Sequence, residues 1–205
     1  NWKIKRSNDY VDRYNEKNMA AIYSSRLKST NVIGKAISMC EVKPTCWINS
    51  ASATIYRHSL DTPMTEAAGE YGRGFSVDVC KQWEACFFNH SFEHVRQVAL
   101  RTAIALGKQG GVMKPFRNLV KFGLGGKMGN GLQQFSWIHT LDFCRAVEFL
   151  IQHKTCQGVY NIASPYPITN EYFMKTLRHQ YHQSFGLNLK KWMLEIGALI
   201  IQTET

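Results

Sequence analysis

Short apolar runs alternate with segments of helical periodicity along this chain of 205 residues. Three such runs cover 46–52, 95–106 and 158–164, and they lack the regular polar alternation of a half-exposed strand. Strands that are apolar on both faces are typical of a parallel sheet with helices on each side. The pattern therefore predicts an α/β fold whose parallel sheet is covered on both faces.

Apolar residues at spacings of three and four predict the helices between these runs. We expect helices over 15–38 and 76–92, a third from Thr140 to 153 and a fourth after Thr169. Thr140 and Thr169 are the expected N-caps. "QFSWIH" (134–139) has strand character, and "WMLEIGALII" (192–201) is an apolar helix that needs cover on nearly every face.

The net charge is +10, and its placement is uneven. Between His94 and Leu141 there are seven basic residues and no acidic one. Such a field favours an anionic partner, either a phosphorylated small molecule or nucleic acid, unless it is only a solvated basic face. The basic residues do not follow one helix face and no known nucleic-acid module is present, so we expect a small anionic molecule and no nucleic acid.

Several sequence features argue against other classes. No run reaches about eighteen apolar residues, so we expect no membrane span. The first residues lack the apolar centre of a secretory signal. The six cysteines contain no CxxC pair, which favours reduced thiols in a cytoplasmic protein. The histidines and cysteines show no metal-ligand spacing, so we predict no metal site.

"INSASATIY" (48–56) ends a buried strand with hydroxyls and methyl groups. In open parallel sheets, ligands bind outside the carboxyl ends of the strands. Small side chains there let a flat ring or a pyrophosphate approach the backbone, and a hydroxyl can bind a substrate oxygen. A simple serine-rich turn is the alternative.

Five segments in order resemble the extended short-chain dehydrogenases/reductases. They are "SSRLKSTNVI" (24–33), "SASATIY" (50–56), "VALRTAIALGKQGG" (98–111), "FSWIHTLDFCRAVEFLI" (135–151) and "GVYNIASPYPITNEYF" (158–173). Together with "GFSVDVCKQWEA" and "FGLGGKMGNG", they look like an atypical branch described as NAD-dependent epimerase/dehydratase, or sugar-nucleotide-epimerase-like, with a C-terminal domain of unknown function.

The resemblance implies a Rossmann-type doubly wound sheet with a small substrate-binding lobe. The Rossmann part would cover 1–111 and 135–165, and the smaller lobe 112–134 and 166–205. The cofactor would be NADP or NAD. Its expected contacts are Ser50, Ala51, Arg26, Arg101, Thr102, Ala103 and Ile104.

The resemblance also assigns catalytic and substrate-binding roles. Ser52 matches the catalytic hydroxyl, and His139 is a second candidate, as a donor or acid/base. It is open whether His139 instead only supports the helix after it. Arg117, Lys121 and Trp137 are the expected substrate contacts. A diphosphate on that substrate is expected to be neutralised by Arg117, Lys121 and Lys127. We expect Ser52, Thr102 and His139 to border one hollow.

Two departures from the family pattern are visible. The glycine-rich phosphate loop is absent, which implies that the first βα units are missing from this N-terminally truncated sequence. The Tyr-x-x-x-Lys pair is also absent: counting back from Glu84 places Ser76 and Cys80 at those two positions.

The predicted function is an NAD(P)-binding epimerase/dehydratase-like oxidoreductase for a nucleotide sugar or similar anion. The alternative is a weakly catalytic dinucleotide sensor or partner-binding module. The oligomeric state stays open, with a homodimer as one alternative, since the helices corresponding to 15–38 and 76–92 often pair between subunits in members of this superfamily.

Overall fold

The computed structural model describes residues 16–107 and 112–190 as an α/β protein. The helices are α1 (Glu16–Met39), α2 (Phe75–Phe88), α3 (Met113–Lys121), α4 (Thr140–Gln152) and α5 (Asn170–Gln180). The strands are β1 (Cys46–Ser52), β2 (Arg96–Thr102), β3 (Ile104–Leu106), β4 (Gln134–Phe135), β5 (Trp137–His139), β6 (Gly158–Ile162) and β7 (Ile168–Thr169). The helix predicted over 192–201 lies outside the described residues, as do parts of both predicted domains.

The three long strands form a parallel sheet in the order β1-β2-β6, as the apolar runs predict. Ser52 pairs with Thr102, and Thr102 pairs with Ile162. The carboxyl ends of all three strands therefore lie side by side at one edge of the sheet. This is the edge at which open parallel sheets bind ligands.

Helices cover both faces of this sheet. On one face, Ile37 of α1 and Phe87 of α2 pack with Trp47 and Ala99. On the other face, Leu150 of α4 joins a cluster with Val98, Leu100, Ile138 and Ile162. Successive residues of β2 point to opposite faces. Because both faces are covered, the strand is apolar on both sides, and the predicted doubly covered sheet is confirmed.

A third apolar cluster joins α3 to α5. Val120 and Met174 are fully buried there, beside Phe173. The rings of Phe135 and Phe173 are stacked with centroids 4.4 Å apart. The domain bounds themselves stay a prediction.

The predicted strand over 95–106 divides at Ala103. The Ala103 amide still donates to the Ile162 carbonyl at 3.0 Å, but the Ile104 amide donates to Ser136. β3 thus leaves the main sheet and pairs in parallel with β5. "QFSWIH" divides in the same way at Ser136, since β4 pairs with β7 while β5 pairs with β3.

Helix ends differ in detail from the prediction. Thr169 caps α5 by accepting from the Tyr172 amide, as predicted. Thr140 is not the cap of α4, so that prediction was wrong: His139 is the N-cap, and the Thr140 hydroxyl donates to the Leu106 carbonyl. Over the described ranges, no helix combines the length and the apolar character needed to cross a membrane.

Candidate functional site

Ser52 is the last residue of β1 and caps the short 3₁₀ turn Ala53–Ile55. Its hydroxyl oxygen accepts from the Thr54 amide at 3.2 Å and donates to the Thr54 hydroxyl at 2.9 Å. The chain must turn here because the strand ends at the sheet edge. The capping role is therefore present, at the edge where a catalytic hydroxyl is expected.

The Cys80 thiol lies beside Ser52, which agrees with the helix register that the resemblance gives. Burial raises the pKa of Cys80 above its usual 9.0, and the charge of Glu84 raises it further. A hydrogen bond with Ser52 and the charges of Arg26 and Arg101 act in the opposite direction on this pKa. Since the net shift is upward, the thiol stays neutral near neutral pH.

Ser50 and Ala51, the predicted cofactor contacts on β1, face different surroundings. Ser50 is exposed, whereas Ala51 is buried and packs in the cluster with Trp47 and Phe87. A ligand at this point meets the Ser50 side chain and the backbone, not the Ala51 methyl group.

The three predicted contacts after β2 lie where that strand leaves the sheet. Thr102 and Ala103 are half-buried, and the Thr102 hydroxyl donates to the Leu100 carbonyl. Ile104 is 36% exposed. Thr102 pairs with Ser52 at the carboxyl edge of the sheet, and Ala103 and Ile104 follow it there.

Arg26, on α1, stacks over the Trp83 ring at 5.3 Å from the ring centroid. Its Nη1 donates to the carbonyl of Ile22. The guanidinium lies close enough to Cys80 to affect the pKa of that thiol. Arg26 therefore adds positive charge on the α2 side of Ser52.

Arg101, also predicted to contact the cofactor, is buried within a network of its own. Its guanidinium makes two hydrogen bonds to the carboxylate of Glu84, and it donates to the hydroxyls of Tyr56 at 2.7 Å and Tyr71 at 3.0 Å. The bonds to Glu84 are the main reason that the pKa of Arg101 is raised. The side chain thereby holds β2, α2 and the chain after β1 together.

The same network anchors the loop between Arg57 and Gly74. The Tyr56 hydroxyl donates to Asn161 Oδ1, and Asn161 Nδ2 donates to the carbonyl of Met64. The backbone amide of Asn161 also donates to the carboxylate of Glu66 at 2.6 Å. These partners were not predicted from the sequence. The available signal was a pair of charges, Arg101 in an apolar run and Glu84 on an apolar helix face.

A cavity of about 260 Å³ lies between α3, α5 and the end of β5. Its polar lining consists of Lys114, Arg117, His139, Gln180 and Tyr181. Its apolar lining consists of Leu106, Met113 and Leu177, with Gly107 beside them. We call it the α3–α5 cavity; it brings together two predicted site residues, Arg117 and His139. Lys114 was missed, although it lies three residues before Arg117 and so on the same helix face.

The His139 side chain has two roles at this cavity. Its Nδ1 accepts a hydrogen bond from the Leu141 amide at 3.2 Å, which caps α4. An accepting Nδ1 assigns the neutral tautomer with hydrogen on Nε2. The hydrogen-bond donor of this ring is therefore Nε2, and His139 is one of the residues that line the cavity.

The remaining predicted residues lie elsewhere. Lys121 is exposed on α3, and the Trp137 indole donates to the Tyr166 carbonyl at 3.3 Å; neither lines the cavity. Lys127 pairs with Glu171 at 3.8 Å. Ser52 and Thr102 do not line the cavity either, so the expected common hollow is not seen there. β3 connects the sheet edge to the cavity.

No family model matches the chain. Among curated proteins, it is 33% identical over 149 residues to an epimerase family protein of Mycobacterium leprae, covering 73% of this chain and 48% of that protein. It is 32% identical to an epimerase family protein of Staphylococcus haemolyticus, covering 89% and 63%, and 30% identical to human epimerase family protein SDR39U1, covering 80% and 56%. The chain thus spans less than two thirds of these relatives.

Solved structures of epimerases share the fold. The crystal structure of human SDR39U1 with NADPH has a TM-score of 0.83 at 26% identity, covering 92% of this chain and 62% of that one. A nucleoside-diphosphate sugar epimerase from Corynebacterium glutamicum has a TM-score of 0.71 at 25% identity, covering 90% and 40%. UDP-glucuronic acid 4-epimerase from Bacillus cereus, solved with NAD, also has a TM-score of 0.71, at 13% identity and covering 93% and 65%. The parallel sheet is thus of the Rossmann type found in these epimerases.

Proposed function

We propose that this chain is part of an epimerase family protein that binds NADP or NAD and acts as an oxidoreductase on a small anionic substrate. One observation carries the proposal: the chain superposes on the NADPH-bound human epimerase family protein with a TM-score of 0.83 over 92% of its length. The three curated relatives, at 30 to 33% identity, support the same family.

The carboxyl edge of the sheet suits a dinucleotide. Ser50 is exposed there and Ser52 is half-buried, so small side chains leave the backbone open to a flat ring. Thr102 and Ala103 border the same edge from β2. In our proposal these residues contact the cofactor, which supplies the hydride acceptor and donor when bound.

Ser52 is the residue that we expect to orient the substrate. Its single hydroxyl proton now goes to Thr54, so binding a substrate oxygen requires that this proton be redirected. Cys80, beside it, is a neutral thiol where the resemblance places a lysine, so Ser52 has no fixed positive charge at that position. Ser52 therefore acts as a hydrogen-bond donor, and another group moves the proton. The two candidates for that group are a water and His139.

A second candidate function follows from the same observation. If a neutral Cys80 at the lysine position prevents rapid proton transfer, the protein binds the dinucleotide and acts as a sensor or partner-binding module. Both functions need the cofactor site, but only the first needs the Ser52 hydroxyl during turnover.

The test uses the purified full-length protein. Binding of NADPH and NADH is followed by nicotinamide fluorescence, and turnover by nicotinamide absorbance with sugar nucleotides and small acids. We expect Ser52→Ala to retain NADPH binding and to lose about 100-fold in turnover, a loss of the size expected when a positioned catalytic group is removed. Ser91→Ala, at an exposed serine, is the matched control. Cofactor binding without turnover favours the sensor, and absence of cofactor binding overturns both functions.

A further inference from the structure

We propose that the α3–α5 cavity binds the carboxylate of a small acid with a short apolar body, and that this acid is the substrate. The inference rests on the proposed function only in naming the bound acid as substrate. Binding itself is measured without turnover, so the two can fail separately.

Arg117 provides the first argument. Its Nε is buried and has no hydrogen-bond partner among the residues that the structure describes. A buried donor on a charged group is costly to leave unsatisfied. A bound oxyanion at this cavity would supply the missing acceptor once the side chain rotates and turns Nε toward the cavity.

The chain itself shows how such a guanidinium binds a carboxylate. Arg101 uses Nε and Nη2 together, and each nitrogen donates to one oxygen of Glu84. The planar fork of an arginine matches a planar carboxylate in this side-on arrangement. The unsatisfied Nε of Arg117 is one half of the same fork, which favours a carboxylate at this place.

Other charges around the cavity agree with an anion. Lys114 lies one helical turn from Arg117, and among the described residues no aspartate or glutamate lines the cavity. Within 16–107 and 112–190, neither Lys114 nor Arg117 forms an ion pair. The Nε2 of His139 adds a neutral donor. A ligand oxygen thus meets donors from α3 and from the end of β5.

The apolar lining indicates the rest of the ligand. Leu106, Met113 and Leu177 offer apolar contacts to a short carbon chain beside the anionic group. The cavity, of about 260 Å³, opens to solvent, so a larger remainder of a ligand would extend outside it.

Isothermal titration calorimetry on the full-length protein tests the proposal. The probes are hexanoate, its uncharged amide hexanamide, inorganic phosphate and UDP-glucose. We expect hexanoate to bind at least about 10-fold more tightly than hexanamide or phosphate, because hexanamide lacks the charge and phosphate lacks the carbon chain that contacts the apolar lining. UDP-glucose should not displace hexanoate.

Variants on α3 identify the residue that binds the carboxylate of hexanoate. Arg117→Gln should weaken hexanoate at least about 10-fold, and Arg117→Lys, which keeps the charge but loses the fork, should weaken it by several-fold. Lys121→Gln removes a charge from an exposed position of α3 that does not line the cavity, and it should change binding by less than about 2-fold. Circular dichroism verifies that each variant folds.

Several results would overturn the proposal. The proposal is contradicted if hexanoate does not bind, or if UDP-glucose displaces it. It is also contradicted if hexanoate binds to Arg117→Gln and Arg117→Lys as tightly as to the natural chain. NADPH binding is measured on the same samples. Loss of hexanoate binding with NADPH binding intact defeats this inference alone, whereas hexanoate binding without NADPH binding defeats the proposed function and leaves the acid site in place.

Discussion

Arg101 and Glu84 form a side-on ion pair inside the protein, with Nε at 2.8 Å from Oε1 and Nη2 at 2.7 Å from Oε2. The two side chains are only 4% and 10% exposed. The pair joins the central strand β2 to α2, the helix that carries Cys80. Because the hydroxyls of Tyr56 and Tyr71 accept hydrogen bonds from the same guanidinium, the pair also fixes the chain beyond Ser52.

Glu84→Gln should destabilise the protein by about 3–5 kcal/mol, because it leaves the charge of Arg101 buried without its partner. Urea unfolding measures the change. Glu70→Gln is the matched control, since it removes the partner of Arg57 from an exposed pair, with side chains 38% and 63% exposed. We expect it to leave the urea midpoint close to that of the natural chain, because solvent screens an exposed pair. Equal effects at both sites would contradict the structural role of the buried pair.

The raised pKa of Cys80 predicts a loss of stability at alkaline pH. In the unfolded chain the Cys80 thiol has its usual pKa of about 9.0. Below that pH the thiol is protonated in both the folded and the unfolded chain, so it adds no pH dependence to the free energy of unfolding. As the pH rises further, the unfolded chain loses its proton first, and unfolding becomes more favourable until the folded pKa is passed. The slope is at most about 1.4 kcal/mol per pH unit.

Cys80→Ser removes that slope and therefore gains stability relative to the natural chain as the pH rises above about 9. Urea unfolding over this range measures the difference. Cys144→Ser, at an exposed thiol, is the control and should run parallel to the natural chain. A parallel curve for Cys80→Ser would show that the thiol is not desolvated.

The sheet was predictable from the sequence because doubly covered strands carry their signature locally. Each of the runs at 46–52 and 158–164 contains one strand, and the pairing of Ser52 with Thr102 follows from parallel order alone. The break at Ala103 was not predictable, since "LRTAIAL" reads as one apolar run. It arises because the Ile104 amide pairs with Ser136, more than thirty positions further along the chain.

The candidate site was predictable only in part, for the same reason. Ser52 and Cys80 were matched by motif spacing, and the structure brings them together. The tyrosines on Arg101 were not found, because they lie 45 and 30 positions away in sequence. His139 was predicted as a site residue. The N-terminus of α4 is capped by a ring nitrogen of His139, where the sequence favoured the hydroxyl of Thr140.

Gly34→Ala should destabilise α1 by about 1–3 kcal/mol, against the usual gain of such a change in a helix. A Cβ at Gly34 would lie 2.5 Å from two ring atoms of His90. That ring cannot easily move, since it packs beside Trp47 and stacks on Phe92. In a His90→Ala background the same change should become neutral or stabilising. Urea midpoints of the four proteins measure this, and a gain in stability with His90 present would contradict it.

His139→Asn separates the two roles of that residue. Asparagine is a good N-cap, so α4 should keep its stability to within about 0.5 kcal/mol, whereas His139→Ala should lose about 1 kcal/mol. Both variants lack the Nε2 donor at the α3–α5 cavity, and both should bind hexanoate about 2- to 10-fold more weakly, the value of one hydrogen bond. Unfolding and titration on the same samples measure the two effects. If only His139→Ala weakens the acid, His139 acts through the cap of α4 and not through its ring in the cavity.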